Sequence, residues 1–175
     1  RAQWMAFSTP FYEISTAVFV KSASKQPISL SDLTGRIIGT TTDSYQENYI
    51  KAFYPQIRIV GFTEAEDMIT ALMLGKVDAV VSEVNYFESV LFQLGIAGLV
   101  TKGNVIFKNQ LKAGVSKDNV ELLDLVENGL SQISTARKIE IESRWITDID
   151  ERYYSAKVEK LLLTEEENQW LDKHP

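Results

Sequence analysis

The groups in this sequence that could do chemistry are mostly carboxylates. Asp43-Ser44-Tyr45-Gln46-Glu47 places two acids around a serine. Its Ser-x-x-Glu spacing is that of a capping box, in which the hydroxyl accepts from the amide three residues on. A helix opening there points unbonded backbone N–H groups, and the positive end of its dipole, at whatever lies before it. An anion is favoured in such a place. Ser44 could equally do no more than cap its helix. Glu83 stands at a second expected helix start, where a carboxylate is favoured by the dipole alone. Asp43, Glu47 and Glu83 are the candidate acids or bases, but no two form a catalytic pair at an arguable geometry, so no catalytic residue is assigned. Asp148-Ile149-Asp150-Glu151 crowds three acids together without the glycine or the ligand spacing of a calcium loop. It is expected to be solvated, and no metal site is expected.

Much other chemistry is excluded by what is missing. There is no cysteine, hence no disulfide, thiolate metal site or thiol nucleophile. The one histidine is His174, so neither a histidine triad nor a multi-histidine metal site can form within the chain. The net charge of −6 argues against a nucleic-acid partner, which needs a basic face. No apolar run approaches the ~18 residues of a membrane span. With 175 residues, 45% of them hydrophobic, the chain can bury a real core.

The elements that must carry the candidate residues follow from apolar periodicity. Ser15 to Val20 is rich in β-formers and is expected to be a strand. Leu30 to Leu33 gives a short helical turn ending at Gly35, and Arg36 to Gly39 a second strand. The Ser44 box should open a helix running to about Phe53, stopped by Pro55. Ile57 to Val60 gives a third strand. Thr63-Glu64-Ala65-Glu66 is a second capping box, before a helix with Met68, Ile69 and Leu72 on one face and Gly75 at its end. Val77 to Val81 suits a buried strand, Val84 to Leu94 a helix, and Ile96 to Val100 a short extended piece. Val105 to Val115 is strand-like but interrupted at Lys108-Asn109-Gln110. Two amphipathic helices should follow, one with Leu122, Leu123, Val126, Leu130 and Ile133, the other from Arg137 to Trp145. The β-α-β-α-β-α order from Arg36 to Leu94 is that of a parallel, doubly wound α/β sheet. Ligands of such sheets bind beyond the carboxyl ends of the strands, here the loops Thr40 to Ser44 and Ser82 to Val84. At the end, Leu161-Leu162-Leu163 precedes a third capping box, Thr164-Glu165-Glu166-Glu167, with Trp170-Leu171 at helical spacing. That tail suits either a linker into a further domain or a helix docking back.

Four segments, in this order, resemble the periplasmic solute-binding protein family 3, the Venus-flytrap domains of polar amino-acid type. They are Arg1-Ala2-Gln3-Trp4-Met5-Ala6-Phe7-Ser8-Thr9-Pro10-Phe11-Tyr12; Leu30-Ser31-Asp32-Leu33-Thr34-Gly35-Arg36-Ile37-Ile38-Gly39; Asp43-Ser44-Tyr45-Gln46-Glu47; and Ala71-Leu72-Met73-Leu74-Gly75-Lys76-Val77-Asp78-Ala79-Val80-Val81-Ser82-Glu83. The resemblance implies a periplasmic binding protein type II clamshell, two lobes joined by two crossing strands, with lobe one incomplete in this chain. Residues 1–25 would be a lobe-one segment and the first crossing strand, 26–106 lobe two, 107–160 the return strand and lobe-one helices, and 161–175 a linker helix. The tail resembles the opening of another such domain in tandem-domain bacterial sensor proteins.

By that resemblance Arg1 would pair with a ligand carboxylate, for which a guanidinium offers two parallel hydrogen bonds. Ser44, with the backbone N–H of Tyr45, would hold the same carboxylate from lobe two. Glu83 would accept the ligand's amino group, and Ser8, Phe11 and Tyr12 would lie near the cleft, the two rings serving equally as hinge packing. Asp43 stands where the family has glycine, and its charge would oppose an anion. The implied role is an extracytoplasmic sensory domain for an amino acid or small carboxylate, part of an inner-membrane receptor such as a sensor histidine kinase. The ligand would shift the domain between open and closed states. The alternative is a free periplasmic amino-acid-binding protein of an ABC importer. The chain itself is expected not to be an enzyme and to need no cofactor, although related folds serve dehydratases and a kinase or cyclase could follow in the full-length protein. Its partners would be the small ligand and adjacent domains of the same receptor, with homodimerisation left open.

Overall fold

The computed structural model describes residues 4–22, 29–146 and 148–155. Arg1, the start of the expected lobe two at Gln26, and the tail helix of 161–175 lie outside the described residues. The chain divides into two compact units: unit one is Arg1–Tyr12 with Leu111–Pro175, and unit two is Glu13–Gln110.

Unit two is built on a five-stranded sheet. In chain order come β1 (Met5–Phe7, in unit one), β2 (Tyr12–Lys21), a 3-10 turn (Leu30–Leu33), β3 (Ile37–Thr41), α1 (Tyr45–Phe53), β4 (Arg58–Phe62), α2 (Ala65–Met73), β5 (Ala79–Glu83), α3 (Val84–Gln93), a 3-10 turn (Ala97–Leu99) and β6 (Val100–Leu111). The sheet order is β4-β3-β5-β2-β6. β3 runs parallel to both β4 and β5, as the β-α-β-α-β order demands. β2 is antiparallel to β5, with Val18 opposite Val81, so the whole sheet is mixed rather than parallel. The reason is connectivity: β2 enters from unit one and is not part of a βαβ unit.

Both faces of this sheet are covered, which explains the unbroken apolar runs Val18-Phe19-Val20 and Ala79-Val80-Val81. Successive side chains leave a strand on opposite sides. Ala17, Phe19 and Val80 join the helices α2 and α3 on one face, with Met68, Leu72 and Phe87. Val18, Val20, Ala79 and Val81 join Leu30, Leu33 and Ile50 on the other. The rings of Phe19 and Phe87 meet at 4.5 Å between centroids. Gly75 closes α2 with φ +72°, a left-handed position that a side chain would strain.

Four local expectations are corrected. The Thr63 capping box does not form: the residue before α2 is Glu64, which makes no side-chain cap bond. Ala97-Gly98-Leu99 is a 3-10 turn rather than extended, closed by the Leu99 amide donating to the Ile96 carbonyl at 2.9 Å. β6 continues unbroken through Lys108-Asn109-Gln110, because an edge strand leaves polar side chains in solvent. Ser82 and Glu83 are the last residues of β5, not a loop, and the strand passes directly into α3.

Unit one pairs β1 antiparallel with β7 (Gly114–Ser116), Ala6 opposite Val115. α4 (Val120–Gln132) packs against both strands. α5 (Thr135–Trp145) and a 3-10 turn (Ile149–Glu151) follow. Asn119 caps α4 and Ser134 caps α5, each accepting from the amide three residues on, at 3.1 and 3.2 Å. Asp148 caps its short turn through the Asp150 amide at 3.0 Å, a local role for one of the crowded acids.

Candidate functional site

The expected ligand position of a wound sheet lies past the carboxyl ends of β3 and β5, adjacent strands about 4.8 Å apart. At the end of β3 the chain turns through Thr42-Asp43 into α1. Ser44 is the N-cap, extended at φ −77° and ψ 165°, and its hydroxyl accepts from the Glu47 amide at 3.1 Å. The reciprocal half of the box is displaced by one residue: Glu47 Oε2 accepts from the Asp43 amide at 2.7 Å. Glu47 Oε1 pairs with Lys51 Nζ at 2.8 Å. The Lys51 ammonium, and then the Asp43 amide, hold the Glu47 carboxyl below the ordinary glutamate value. Asp43 itself adopts φ +55°, the one non-glycine residue with positive φ among the described residues. That is why glycine suits this position and why aspartate, which tolerates the left-handed region, can replace it.

With Ser44 committed to Glu47, the amides of Tyr45 and Gln46 remain as first-turn donors that no carbonyl of the helix can reach. These amides, rather than the Ser44 hydroxyl alone, are the groups suited to an anion. The Tyr45 ring is exposed and stands edge-on to Phe107 at 5.2 Å.

At the end of β5, Glu83 is both the last strand residue and the N-cap of α3, with no side-chain cap bond. It pairs in register with Thr16 of β2. Its half-buried carboxylate makes no ion pair among the described residues. Two residues on, Asn85 Oδ1 is buried without a hydrogen-bond partner. Around these strand ends lie buried polar side chains, Thr16, Thr40, Gln46 and Ser82. The Thr40 hydroxyl donates to the Val81 carbonyl at 3.0 Å, joining the ends of β3 and β5. Gln46 Nε2 approaches Thr16 Oγ1 at 3.5 Å. Sequence reasoning missed Thr16 and Asn85, and reached Thr40 and Ser82 only as ends of the expected ligand loops and Gln46 only as part of the capping box. The available signal was a hydroxyl or amide inside an otherwise apolar strand or helix face.

The unit-one candidates have prior commitments. Ser8 is 3% exposed, its hydroxyl donating to the Thr9 carbonyl at 2.8 Å and accepting from the Ala113 amide at 2.9 Å. Thr9 is gripped by Glu127 of α4 through its amide at 2.5 Å and its hydroxyl at 2.8 Å. The Phe11 amide donates to the Leu111 carbonyl, leaving its half-buried ring as the variable group. The Tyr12 hydroxyl donates to Glu142 at 2.8 Å, and burial together with that carboxylate holds it well above the ordinary tyrosine value. Trp4 and Trp145 are surface residues. No group of three or more His, Cys, Asp or Glu side chains among the described residues could hold a metal ion. No helix among them is long and apolar enough to cross a membrane.

No protein-family model matches the chain. It is 28% identical over 136 residues to the ABC transporter arginine-binding protein 1 of Escherichia coli, a match covering 76% of this chain and 55% of that protein. Among solved structures, a variant of ArgBP from T. maritima superposes with a TM-score of 0.73 at 20% identity, over 85% of this chain and 64% of that one. An ancestral arginine-binding protein bound to glutamine gives 0.70 at 26% identity, over 82% and 64%. The periplasmic VFT2 domain of Bordetella pertussis BvgS gives 0.64 at 21% identity, over 83% and 62%. The chain thus spans a little over half the length of its curated relative and under two thirds of these structures. Its fold is the two-lobed α/β clamshell of type II periplasmic binding proteins.

Proposed function

We propose that this chain belongs to a protein that binds an amino acid, and that it serves uptake as a periplasmic binding protein of an ABC importer. The observation that carries the reading is the 136-residue likeness to an ABC transporter arginine-binding protein. The chemistry of unit two supports it. The first-turn amides of α1 suit the α-carboxylate, and Glu83 at the start of α3 suits the ammonium. The two sites sit on adjacent strand ends, which matches a ligand carrying opposite charges a few ångströms apart. Asp43 adds an exposed carboxylate at the end of β3. A net negative surround favours a ligand with an extra positive group, so arginine is preferred to an acidic amino acid.

A sensory role is the second reading. It rests on the tail residues Leu163 to Pro175, with their likeness to the opening of another flytrap domain, and on the shared fold of the BvgS periplasmic VFT2 domain. Isothermal calorimetry on the full-length protein with arginine, glutamine and glutamate tests the binding reading. Saturable heat with arginine that is lost in Glu83→Ala is expected. Absence of heat with every amino acid would sink it. Uptake of labelled arginine by cells lacking the gene separates import from sensing.

A further inference from the structure

Outside the candidate site, one carboxylate is buried and fully engaged. Glu142 is 4% exposed and is the buried residue of α5. Its Oε1 accepts from the Tyr12 hydroxyl at 2.8 Å and from the Tyr153 amide at 2.5 Å. The Tyr154 amide lies 3.2 Å from Oε1 and 3.1 Å from Oε2, and the Ser155 amide 3.2 Å from Oε2. A carboxylate offers about four acceptor positions, so its capacity is used up. The Tyr154 hydroxyl donates back to the Phe11 carbonyl. The three rings pack edge to face, with centroids 5.4 Å apart for Tyr12 and Tyr153, 5.5 Å for Tyr12 and Tyr154, and 5.1 Å for Tyr153 and Tyr154. Lys138, one turn before Glu142 on α5, sets its ammonium 5.7 Å from the Tyr154 ring centroid.

Three stretches distant in sequence therefore meet at one group. Phe11-Tyr12 is the root of β2, where the chain leaves unit one for unit two at Glu13. Residues 153–155 are the stretch from which the chain continues to Pro175. A buried carboxylate is unfavourable unless its acceptors are satisfied. Here the satisfying donors come from two segments at once, so each segment's attachment depends on the other's. We propose that Glu142 is a clasp that makes the position of residues 153–155 follow the root of strand β2. Such coupling is reciprocal: a change at Tyr12 must be felt at 153–155, and the reverse.

Amide hydrogen exchange on the full-length protein tests this, with Tyr12→Phe, Glu142→Gln and the double variant. Tyr12→Phe keeps the ring and removes only the hydroxyl. Exchange at Tyr153, Tyr154 and Ser155 is expected to quicken about tenfold in Glu142→Gln, as for loss of a charge-assisted hydrogen bond, and severalfold in Tyr12→Phe. The double variant should exchange there no faster than Glu142→Gln alone, since both substitutions remove one interaction. Amides of α3 should be unchanged. In Glu142→Gln, Tyr12 should also ionise nearer the ordinary tyrosine value, a signature that loosened packing elsewhere would not give. Unaltered exchange at 153–155 in Tyr12→Phe, or independent effects of the two substitutions, would overturn the clasp. If Glu142→Gln fails to fold, Tyr12→Phe decides alone.

Discussion

In unit two, Phe19 and Phe87 are enclosed between the sheet and its helices; in unit one, Leu125 on α4 is 68% exposed and Trp145 on α5 is 80% exposed. Among the described residues, Val115 is the one buried hydrophobic side chain of unit one, beside the buried polar Ser8 and Glu142. Unit two is held by apolar packing on both faces of a sheet. The described part of unit one is held by polar grips: Ser8 on Ala113, Glu127 on Thr9, Glu142 on Tyr12 and 153–155. A region of the first kind loses stability when volume is removed, and one of the second kind when an acceptor is.

Truncation is the strongest test of that contrast. Phe87→Ala should cost about 3–5 kcal/mol in denaturant unfolding, because a buried ring leaves a cavity. Leu125→Ala should stay within about 0.5 kcal/mol, as for an exposed position. Comparable losses at both would break the distinction. Next in size, Ser44→Ala should cost about 1 kcal/mol by removing the α1 cap. It should weaken amino-acid binding less than Glu83→Ala does in calorimetry, because the α1 amides remain. Asp43→Gly should stabilise unit two by up to about 1 kcal/mol, by relieving the positive φ. A loss instead would mean that the Asp43 side chain contributes more than its backbone costs.

The pH dependence of stability separates the units more finely. Folded Tyr12 holds its proton more tightly than the unfolded chain does, so its contribution is complete below the ordinary value of 10.0 and is lost as pH rises beyond it. Folded Glu47 holds its proton less tightly, so its smaller contribution is complete above the ordinary value of 4.5 and is lost as pH falls. Exchange measured along a pH series should therefore show 153–155 loosening on the alkaline side and the start of α1 on the acid side.

Unit two was largely legible in the sequence because its periodicity and its burial agree. Met68, Ile69 and Leu72 fall on one face of α2 as their spacing requires, and the β-α-β-α-β-α order forces β3, β4 and β5 parallel. Legibility failed where position in the sheet outweighed pattern. The polar Lys108-Asn109-Gln110 suggested a break, yet an edge strand tolerates it. Of the candidate site, Ser44 and Glu83 were visible because helix starts have a chemical signature. Thr40 and Ser82 entered only as ends of the expected loops and Gln46 only within the capping box, while Thr16 and Asn85 were not visible, since a single polar group inside an apolar run gives no hint of what it faces. Glu142 was hidden for a different reason: its donors lie about 130 residues before it and 11 to 13 after it, a separation no local pattern spans.

The direct passage of β5 into α3 also bears on how this site can vary. Between β3 and α1 the chain has Thr42-Asp43-Ser44 to lengthen or replace, and tips of that sort accept inserted residues. Between β5 and α3 there is no connecting residue at all, so an insertion beside Glu83 must unpair the strand or uncap the helix. Glu83 can be exchanged for another side chain but not shifted along the chain. Variation at the candidate site is therefore channelled into loop length on one side and into residue identity on the other.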